Sequence, residues 1–216
     1  FALPVLVVIH RHPFVSVMIW LLLAPFLLHS NTATERYVYW AIHRALPMLT
    51  LLMMALSAGL HINQRRTARP GPAEAAMAGY VLISIASILW LNHQPVATFY
   101  LFYDRVLVPM ALYLIIRFAE PSERELRWLL AAAVFIVLSQ GVIGILSQFA
   151  PGLIPSQWME NAGERTVGTL INAAIYTIAL MFGGLVLAHA AQQREPVWLR
   201  RVYVLCFLLA MYGTFI

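Results

Sequence analysis

The amino-acid sequence predicts an all-α, polytopic bundle of transmembrane helices, and three observations lead to that prediction. Hydrophobic residues make up 62% of the 216-residue chain and charged residues only 11%, whereas a soluble domain carries about 25% charged residues. The charged residues are concentrated in short stretches between long apolar segments. Those segments are runs of Leu, Ile, Ala and Met without period-2 alternation, which favours helices over the strands of a barrel.

Eight apolar segments account for the predicted helices, and the first and last are shorter than the roughly 20 residues that cross a bilayer. The segments are Phe1–Ile9, Phe14–Leu28, Tyr37–Leu60, Ala75–Leu91, Phe99–Ile116, Trp128–Phe149, Val167–Ala191 and Val202–Ile216. The second is short and carries Pro25 near its end, so we expect it to be tilted, kinked or only partly inserted. We expect about eight spans in a single transmembrane domain, 1–216, that is a fragment of a longer chain.

Local signals support individual helices. Ser122, followed three residues later by Glu125, is a capping box that predicts the start of the sixth helix. Small residues in the sixth and seventh segments favour close helix packing, and they are Gly141, Gly144, Gly183 and Gly184. We expect Gln140 and Gln148 to form hydrogen bonds between helices. The single cysteine, Cys206, lies within the last segment, where we expect a small buried hydrophobe.

The arginines predict the orientation of the chain, which contains no lysine. Ten of the fourteen lie in alternate loops, and they are Arg11, Arg65, Arg66, Arg69, Arg117, Arg124, Arg127, Arg194, Arg200 and Arg201. The positive-inside rule makes these loops cytoplasmic, so the stretch 151–172 lies on the outer face, which is periplasmic in a Gram-negative cell. Because the net charge of +5 lies between spans, it indicates membrane orientation and no nucleic-acid partner.

Four arginines depart from this rule, because they fall at or near the predicted outer face. They are Arg36, Arg44, Arg105 and Arg165. One explanation is local pairing with the adjacent carboxylates of Glu35, Asp104 and Glu164, but adjacent residues on a helix do not face each other. The other explanation is an anionic ligand, since guanidinium groups bind phosphate oxygens with two parallel hydrogen bonds. We expect a phosphate or diphosphate.

The segment "GERTVGTLIN" is the most specific candidate for a binding site. Arg165 precedes Gly168, Thr169 and Asn172 at the predicted start of the seventh helix, where free N–H groups and the helix dipole favour an anion. Gly168 permits close approach to the backbone, and Thr169 and Asn172 share one helix face. These four residues predict a phosphate or sugar site. The alternative is an interfacial arginine ahead of an ordinary capped helix.

Other polar residues give weaker signals. Asp104 and Arg105 lie near the outer end of the fifth segment, where they either face a polar cavity or reach interfacial water beside an aromatic belt. His29 and His43 are predicted to face outward, and either could act as an acid or base. No histidine pair has the spacing of a zinc site, so we expect no metal. The sequence also lacks a Walker A loop, a dinucleotide fingerprint and a nucleophile elbow.

The chain resembles the O-antigen ligase and O-antigen polymerase superfamily of bacterial membrane proteins. The pattern Arg-x-x-Gly-Thr-x-x-Asn, which opens a span at Arg165, is the most specific match. The segment "YDRVLVPMALYLIIRF" with the charged turn after it, and the final "LLAMYGTFI", are also similar to that family. This chain reads Asn172-Ala173-Ala174 where the family more commonly has Asn-Pro-Asn.

The resemblance implies a glycosyltransferase of the GT-C type in the bacterial inner membrane, acting on the periplasmic side without a metal or other cofactor. Such enzymes transfer an oligosaccharide from an undecaprenyl-diphosphate carrier to lipid A–core or to a growing polysaccharide. Arg165 matches a position that binds the diphosphate. The resemblance places the catalytic histidine in a periplasmic loop beyond residue 216, so the catalytic residues within this chain are unknown.

Two alternatives of other classes stay open on the sequence. A transporter or flippase for an anionic or lipid-linked substrate would show repeat symmetry and broken helices in matching positions, and no repeat is visible. A noncatalytic membrane scaffold would leave the four outer arginines unexplained. We expect the ligase activity ahead of the polymerase activity.

Overall fold

The computed structural model describes residues 2–27, 32–60, 70–91, 93–155, 158, 169–170, 173–193 and 196–214, and this part of the chain is helical without any strand. Its α-helices are α1 (Ala2–Arg11), α2 (Phe14–Leu27), α3 (Ala33–Gly59), α4 (Pro72–Leu91), α5 (Pro95–Ala119), α6 (Glu123–Phe149), α7 (Ala173–Ala191) and α8 (Val197–Thr214). A short 3-10 turn, Pro151–Leu153, follows α6. The predicted all-α architecture is confirmed.

Five of these helices, α3, α4, α5, α6 and α8, are long and apolar enough to cross a membrane. Helix α2 and the part of α7 from Ile175 to Ala191 are apolar but shorter. Helix α2 has 14 residues and contains Pro25, as the sequence predicted. The chain is therefore a multi-pass membrane protein, and each predicted apolar segment corresponds to one helix of the described residues.

Several helices begin earlier than the apolar segments that predicted them. Helix α3 starts at Ala33, four residues before Tyr37, because Thr32 and Glu35 form a capping box. The Thr32 N–H donates to Glu35 Oε2 at 3.1 Å, and the Glu35 N–H donates to Thr32 Oγ1 at 3.2 Å. Helix α6 starts at Glu123, directly after Ser122 as predicted. Hydropathy identifies the apolar part of a helix. It therefore places the start of a helix too late where the first turn is polar.

The chain divides into two compact units. Unit 1 comprises Phe1–Trp20 and Tyr37–Ser122, and unit 2 comprises Leu21–Arg36 and Glu123–Ile216. Each unit is described by itself. The single transmembrane domain expected over residues 1–216 stays a prediction.

In unit 1, α3 packs against α5, and hydrogen bonds join further helices at their ends. Ser57 Oγ on α3 lies 3.1 Å from His10 Nδ1 on α1. Near the start of α4, the carboxylate of Glu74 accepts from the Tyr113 hydroxyl at 3.1 Å and lies 3.4 Å from Arg117 Nε, so it links α4 to the end of α5. Helix α5 ends where Glu120 adopts a left-handed conformation with φ of 44°.

In unit 2, α6, α7 and α8 pack tightly around a core that includes Tyr176, Leu180, Leu187, Tyr203 and Cys206. Glycines permit this packing, as predicted. A Cβ atom at Gly141 would lie 2.6 Å from Leu209 Cγ, and one at Gly183 would lie 2.7 Å from Val137 Cγ2. A Cβ atom at Gly144 would overlap the hydroxyl oxygen of Tyr176. The three helices are therefore close-packed at the glycines.

Candidate functional site

The candidate site in unit 1 is built around an ion pair between two candidate spans. Arg44 on α3 donates from Nε to Asp104 Oδ1 at 2.7 Å and from Nη2 to Asp104 Oδ2 at 2.6 Å. Both side chains are about one quarter exposed, at 25% for Arg44 and 28% for Asp104. Ionisable groups inside spans are energetically unfavourable, and where they occur they commonly mark substrate or ion pathways.

Each member of the pair lies in a π-helical turn followed by a proline. The π turn of α3 covers Ala41–Ala45 and precedes Pro47, and that of α5 covers Tyr103–Leu107 and precedes Pro109. A proline has no N–H to donate to the carbonyl four residues before it, and an i→i−5 turn is one way in which the backbone accommodates that loss. Such turns occur frequently at functional sites. Both helices are thus distorted where the ion pair forms.

Two tyrosines of α5 hold Arg44 from other directions. The Tyr100 ring lies against the guanidinium plane, with Cζ 5.3 Å from the ring centroid, which is a cation–π contact. The Tyr103 hydroxyl donates to the Arg44 carbonyl at 3.0 Å. Asp104 binds the edge of the Arg44 guanidinium that carries Nε and Nη2. Nη1 of Arg44 makes no hydrogen bond to any residue that the structure describes. The outer Nη1/Nη2 edge of Arg44 is the one suited to a second oxyanion.

His43 lies beside the pair and is fixed by its own contacts. Trp20 Nε1 donates to His43 Nδ1 at 3.2 Å, and because an indole N–H can only donate, Nδ1 carries no proton while this bond exists. The neutral imidazole then has its proton on Nε2, which lies 3.8 Å from Asp104 Oδ1. That distance is too long for a hydrogen bond. The Tyr39 ring stacks on the imidazole with centroids 5.0 Å apart.

Three of the sequence-predicted site residues, Arg165, Gly168 and Asn172, lie outside the described residues. Thr169 is described and fully buried. Its hydroxyl accepts from Gln140 Nε2 at 2.7 Å, and its N–H donates to Gln140 Oε1 at 3.2 Å. Gln140 was expected to form a hydrogen bond between helices. Its side chain instead makes a two-bond contact from α6 to Thr169, which lies in a turn ahead of α7. A ligand-binding role of Thr169 stays a prediction.

The remaining predicted arginines differ in their surroundings. Arg36 is exposed in the first turn of α3, and Arg105 is exposed in the π turn beside Asp104. The carboxylate of Asp104 pairs with Arg44 and not with its sequence neighbour Arg105. Of the outer arginines in described residues, Arg44 is the one held in a fixed geometry. A role of all three in binding an anion stays a prediction.

The sequence reasoning missed Trp20 and the partner of Arg44. A usable signal exists for the pair, because "HRALP" and "YDRVLVP" each place a charge three to five residues before a proline within an apolar segment. Opposite charges at distorted positions of two spans favour a pair between them. No comparable signal marks Trp20, whose contact with His43 joins residues 23 positions apart.

No group of three His, Cys, Asp or Glu side chains in the described part of the chain could hold a metal ion. Because Asp104 balances the charge of Arg44, the part of this arrangement that is left for a ligand is the outer Nη1/Nη2 edge of the guanidinium, which can donate hydrogen bonds. The predicted absence of a metal and a cofactor stays a prediction.

Comparisons with known proteins give no family for this chain. No protein-family model matches it, and no curated protein or solved structure does so either. The resemblance to the O-antigen ligase and polymerase superfamily therefore stays a prediction from the sequence.

Proposed function

We propose that this chain is part of a membrane glycosyltransferase that moves an oligosaccharide from an undecaprenyl-diphosphate carrier to lipid A–core on the periplasmic face of a bacterial inner membrane. The resemblance at Arg165–Asn172 supports the family. The observation that carries the proposal in the fold is Arg44, whose guanidinium is fixed by Asp104 and Tyr100 and keeps one edge for an oxyanion. An O-antigen or exopolysaccharide polymerase would use the same donor and the same site.

The position of Arg44 suits a ligand at the outer face. Helices α3 and α5 both start at the predicted outer side, and Arg44 and Asp104 lie 11 and 9 residues from their first residues. At 1.5 Å per residue these positions are about 16 and 14 Å along the helix axes. The two side chains therefore meet at similar depth, so one ligand that enters from the outer side could contact both.

The proposed reaction is a displacement at the anomeric carbon of the donor sugar. An acceptor hydroxyl oxygen forms the new bond to that carbon, the bond from the carbon to the diphosphate oxygen breaks, and the lipid diphosphate leaves with the electron pair. Negative charge grows on the diphosphate in the transition state, so fixed guanidinium donors stabilise it more than they stabilise the ground state. Arg165 has this role in the proposal, with Arg36, Arg44 or Arg105 as a helper. The resemblance implies that a histidine is the base that takes the hydroxyl proton.

The test is transfer by the complete protein in membranes, with an undecaprenyl-diphosphate oligosaccharide as donor and lipid A–core as acceptor. Product formation is measured by the shift of the acceptor on a gel. We expect Arg165→Ala to lower the transfer rate about a hundredfold, as loss of one donor to a developing oxyanion does, while the amount of protein in the membrane is unchanged. Arg127→Ala, on the predicted cytoplasmic side, is the matched control. Equal transfer rates for Arg165→Ala and Arg127→Ala would show that Arg165 is not part of the site. If the wild-type protein transferred no oligosaccharide, the proposed transferase function would be wrong.

A transporter or flippase for an anionic or lipid-linked substrate is the second candidate, and one observation favours it. Helices α3 and α5 each carry a charged residue in a π turn within a candidate span, and ionisable residues within spans commonly lie on substrate or ion pathways. The discriminating measurement is the movement of a fluorescent lipid diphosphate between leaflets of vesicles that contain the protein and no acceptor. Movement of the lipid diphosphate in these vesicles, without oligosaccharide transfer in the assay with lipid A–core, supports the transporter. Oligosaccharide transfer in that assay, without movement in the vesicles, supports the enzyme.

A further inference from the structure

A groove lies at the start of α8 beside the C-terminal end of α7, within unit 2. Its volume is about 560 Å³, and its described lining residues are Ala191, Val197, Arg200, Arg201, Val204 and Leu205. Five of these follow the i, i+3, i+4, i+7, i+8 spacing of one helix face. The groove is therefore one stripe of α8, closed on one side by the end of α7.

This stripe faces away from the core of unit 2. The opposite face of α8 carries Tyr203 and Cys206, which are buried against α6 and α7. On the groove side, Val204 is 46% and Leu205 is 65% exposed. Because α8 is long and apolar enough to span a membrane, an exposed apolar stripe on it is a surface that a lipid could contact.

The groove changes from cationic to apolar along the helix. Arg200 and Arg201 lie in the second turn of α8, and Val204 and Leu205 follow one turn later, about 6 Å further along the axis. Trp198, which is 65% exposed in the first turn, is the kind of residue that lies at the membrane–water interface. With the membrane boundary at Trp198, the guanidiniums would lie at headgroup level and Val204 and Leu205 would lie beside the acyl chains.

One of the two arginines is fixed at the polar end. Arg200 Nε donates to the carbonyl of Ala191, the last residue of α7, at 3.1 Å. This bond caps the helix and holds the guanidinium across the mouth of the groove. Its Nη groups and the exposed Arg201 supply the positive charge, and none of the described lining residues is acidic.

We propose that this groove binds an anionic glycerophospholipid, with the headgroup phosphate between Arg200 and Arg201 and an acyl chain along Val204 and Leu205. The charge and the apolar wall together select this ligand, because basic pockets between spans on the cytoplasmic side bind anionic headgroups. The site lies on the side that the arginine count predicts to be cytoplasmic, and it does not depend on the proposed glycosyl transfer. Its function is to anchor the α7–α8 end in the inner leaflet.

The experiment is lipid binding to the full chain in detergent micelles, followed by native mass spectrometry. The probes are phosphatidylglycerol and phosphatidylcholine with the same acyl chains. We expect phosphatidylglycerol to bind more tightly, and its binding to weaken as salt is raised. Arg201→Gln should lower its affinity about fivefold, and the double change of Arg200 and Arg201 to Gln about thirtyfold, or about 2 kcal/mol.

Arg127→Gln is the matched control, because it removes one exposed arginine from the predicted cytoplasmic end of α6 without touching the groove. It should leave phosphatidylglycerol binding unchanged. The single Arg201→Gln variant keeps the Arg200 cap of α7, so it decides the question if the double variant does not fold. Three results would overturn the proposal. They are equal binding of the two lipids, an equal loss of phosphatidylglycerol affinity in Arg201→Gln and Arg127→Gln, and displacement of phosphatidylglycerol from the groove by inorganic phosphate.

Discussion

Arg44 and Asp104 are 60 residues apart in the chain, and their side chains form a two-bond ion pair between α3 and α5. Both residues lie in π-helical turns, so the pair joins the two helices where their regular hydrogen bonding is interrupted. Tyr100 and Tyr103 add two further contacts from α5 to Arg44. The pair therefore joins α3 to α5 through polar side chains, and it is also the candidate site of unit 1.

Removal of one member of this pair should destabilise the protein more than removal of both. Asp104→Asn leaves Arg44 without its counter-charge, and because both side chains are about a quarter exposed, we expect a loss of about 2 kcal/mol, below the range for fully buried pairs. The double change Arg44→Gln with Asp104→Asn should cost less than Asp104→Asn alone, because it leaves no uncompensated charge. The measurement is a double-mutant cycle on thermal unfolding in detergent. Additive effects would show that the two side chains do not interact.

Gly144→Ala should destabilise unit 2 by about 1–3 kcal/mol, the usual effect of overpacking. The new methyl group would overlap the Tyr176 hydroxyl, which donates to the Gln140 carbonyl at 3.0 Å and has no room to move. Gly79→Ala is the control, since a Cβ atom there meets nothing within 4 Å. Its higher helix propensity should leave stability unchanged or slightly raised. The midpoint of thermal unfolding measures both, and a lower midpoint for Gly79→Ala would contradict the packing argument.

Thr169→Val should destabilise the contact between α6 and the residues ahead of α7. The substitution keeps the shape but removes the hydroxyl that accepts from Gln140, so a buried amide N–H loses its partner, which costs about 1–3 kcal/mol. Thr169→Ser keeps the hydroxyl and should lose less than half of that. Thermal unfolding of the three proteins distinguishes these outcomes, and equal midpoints for Val and Ser would show that the hydrogen bond contributes nothing.

The predicted orientation can be tested by labelling with an impermeant thiol reagent on intact cells. Gly152→Cys lies in an exposed turn after α6 with open space around the new side chain, and we expect it to react. Gln192→Cys, exposed at the end of α7, should react only after the cells are opened. Background labelling should be low because Cys206 is 2% exposed. The reverse pattern would invert the topology.

Hydropathy was sufficient to predict the all-α class and the position of every described helix, because backbone hydrogen bonding in lipid leaves few alternatives. It misplaced the start of α3 because the capping box of Thr32 and Glu35 lies in a polar stretch that carries no hydropathy signal. Gly141, Gly144 and Gly183 were identified as packing positions because a glycine within a span lets the backbone of a neighbouring helix approach closely. These features depend on short segments of sequence.

The candidate site was harder to predict because its contacts are not local. Arg44 was selected by the positive-inside count, but that count does not identify its partner. The signal that could have paired it with Asp104 is the charge ahead of a proline in "HRALP" and in "YDRVLVP". The contact of Trp20 with His43 depends on how α2 and α3 pack, which periodicity does not specify. The patch at Arg165 lies outside the described residues, so its prediction stands on the sequence pattern alone.

The spacing of Arg44 and Asp104 has a consequence for biosynthesis. At about 5–20 residues per second, the ribosome needs roughly 3 to 12 s to add the 60 residues between them. During that time α3 carries an arginine whose insertion at the centre of a span is unfavourable by about 2.5–3.5 kcal/mol. The counter-charge arrives only with α5. Stable insertion of α3 should therefore be completed together with α5, and a nascent chain stalled before residue 104 should leave α3 extractable from the membrane.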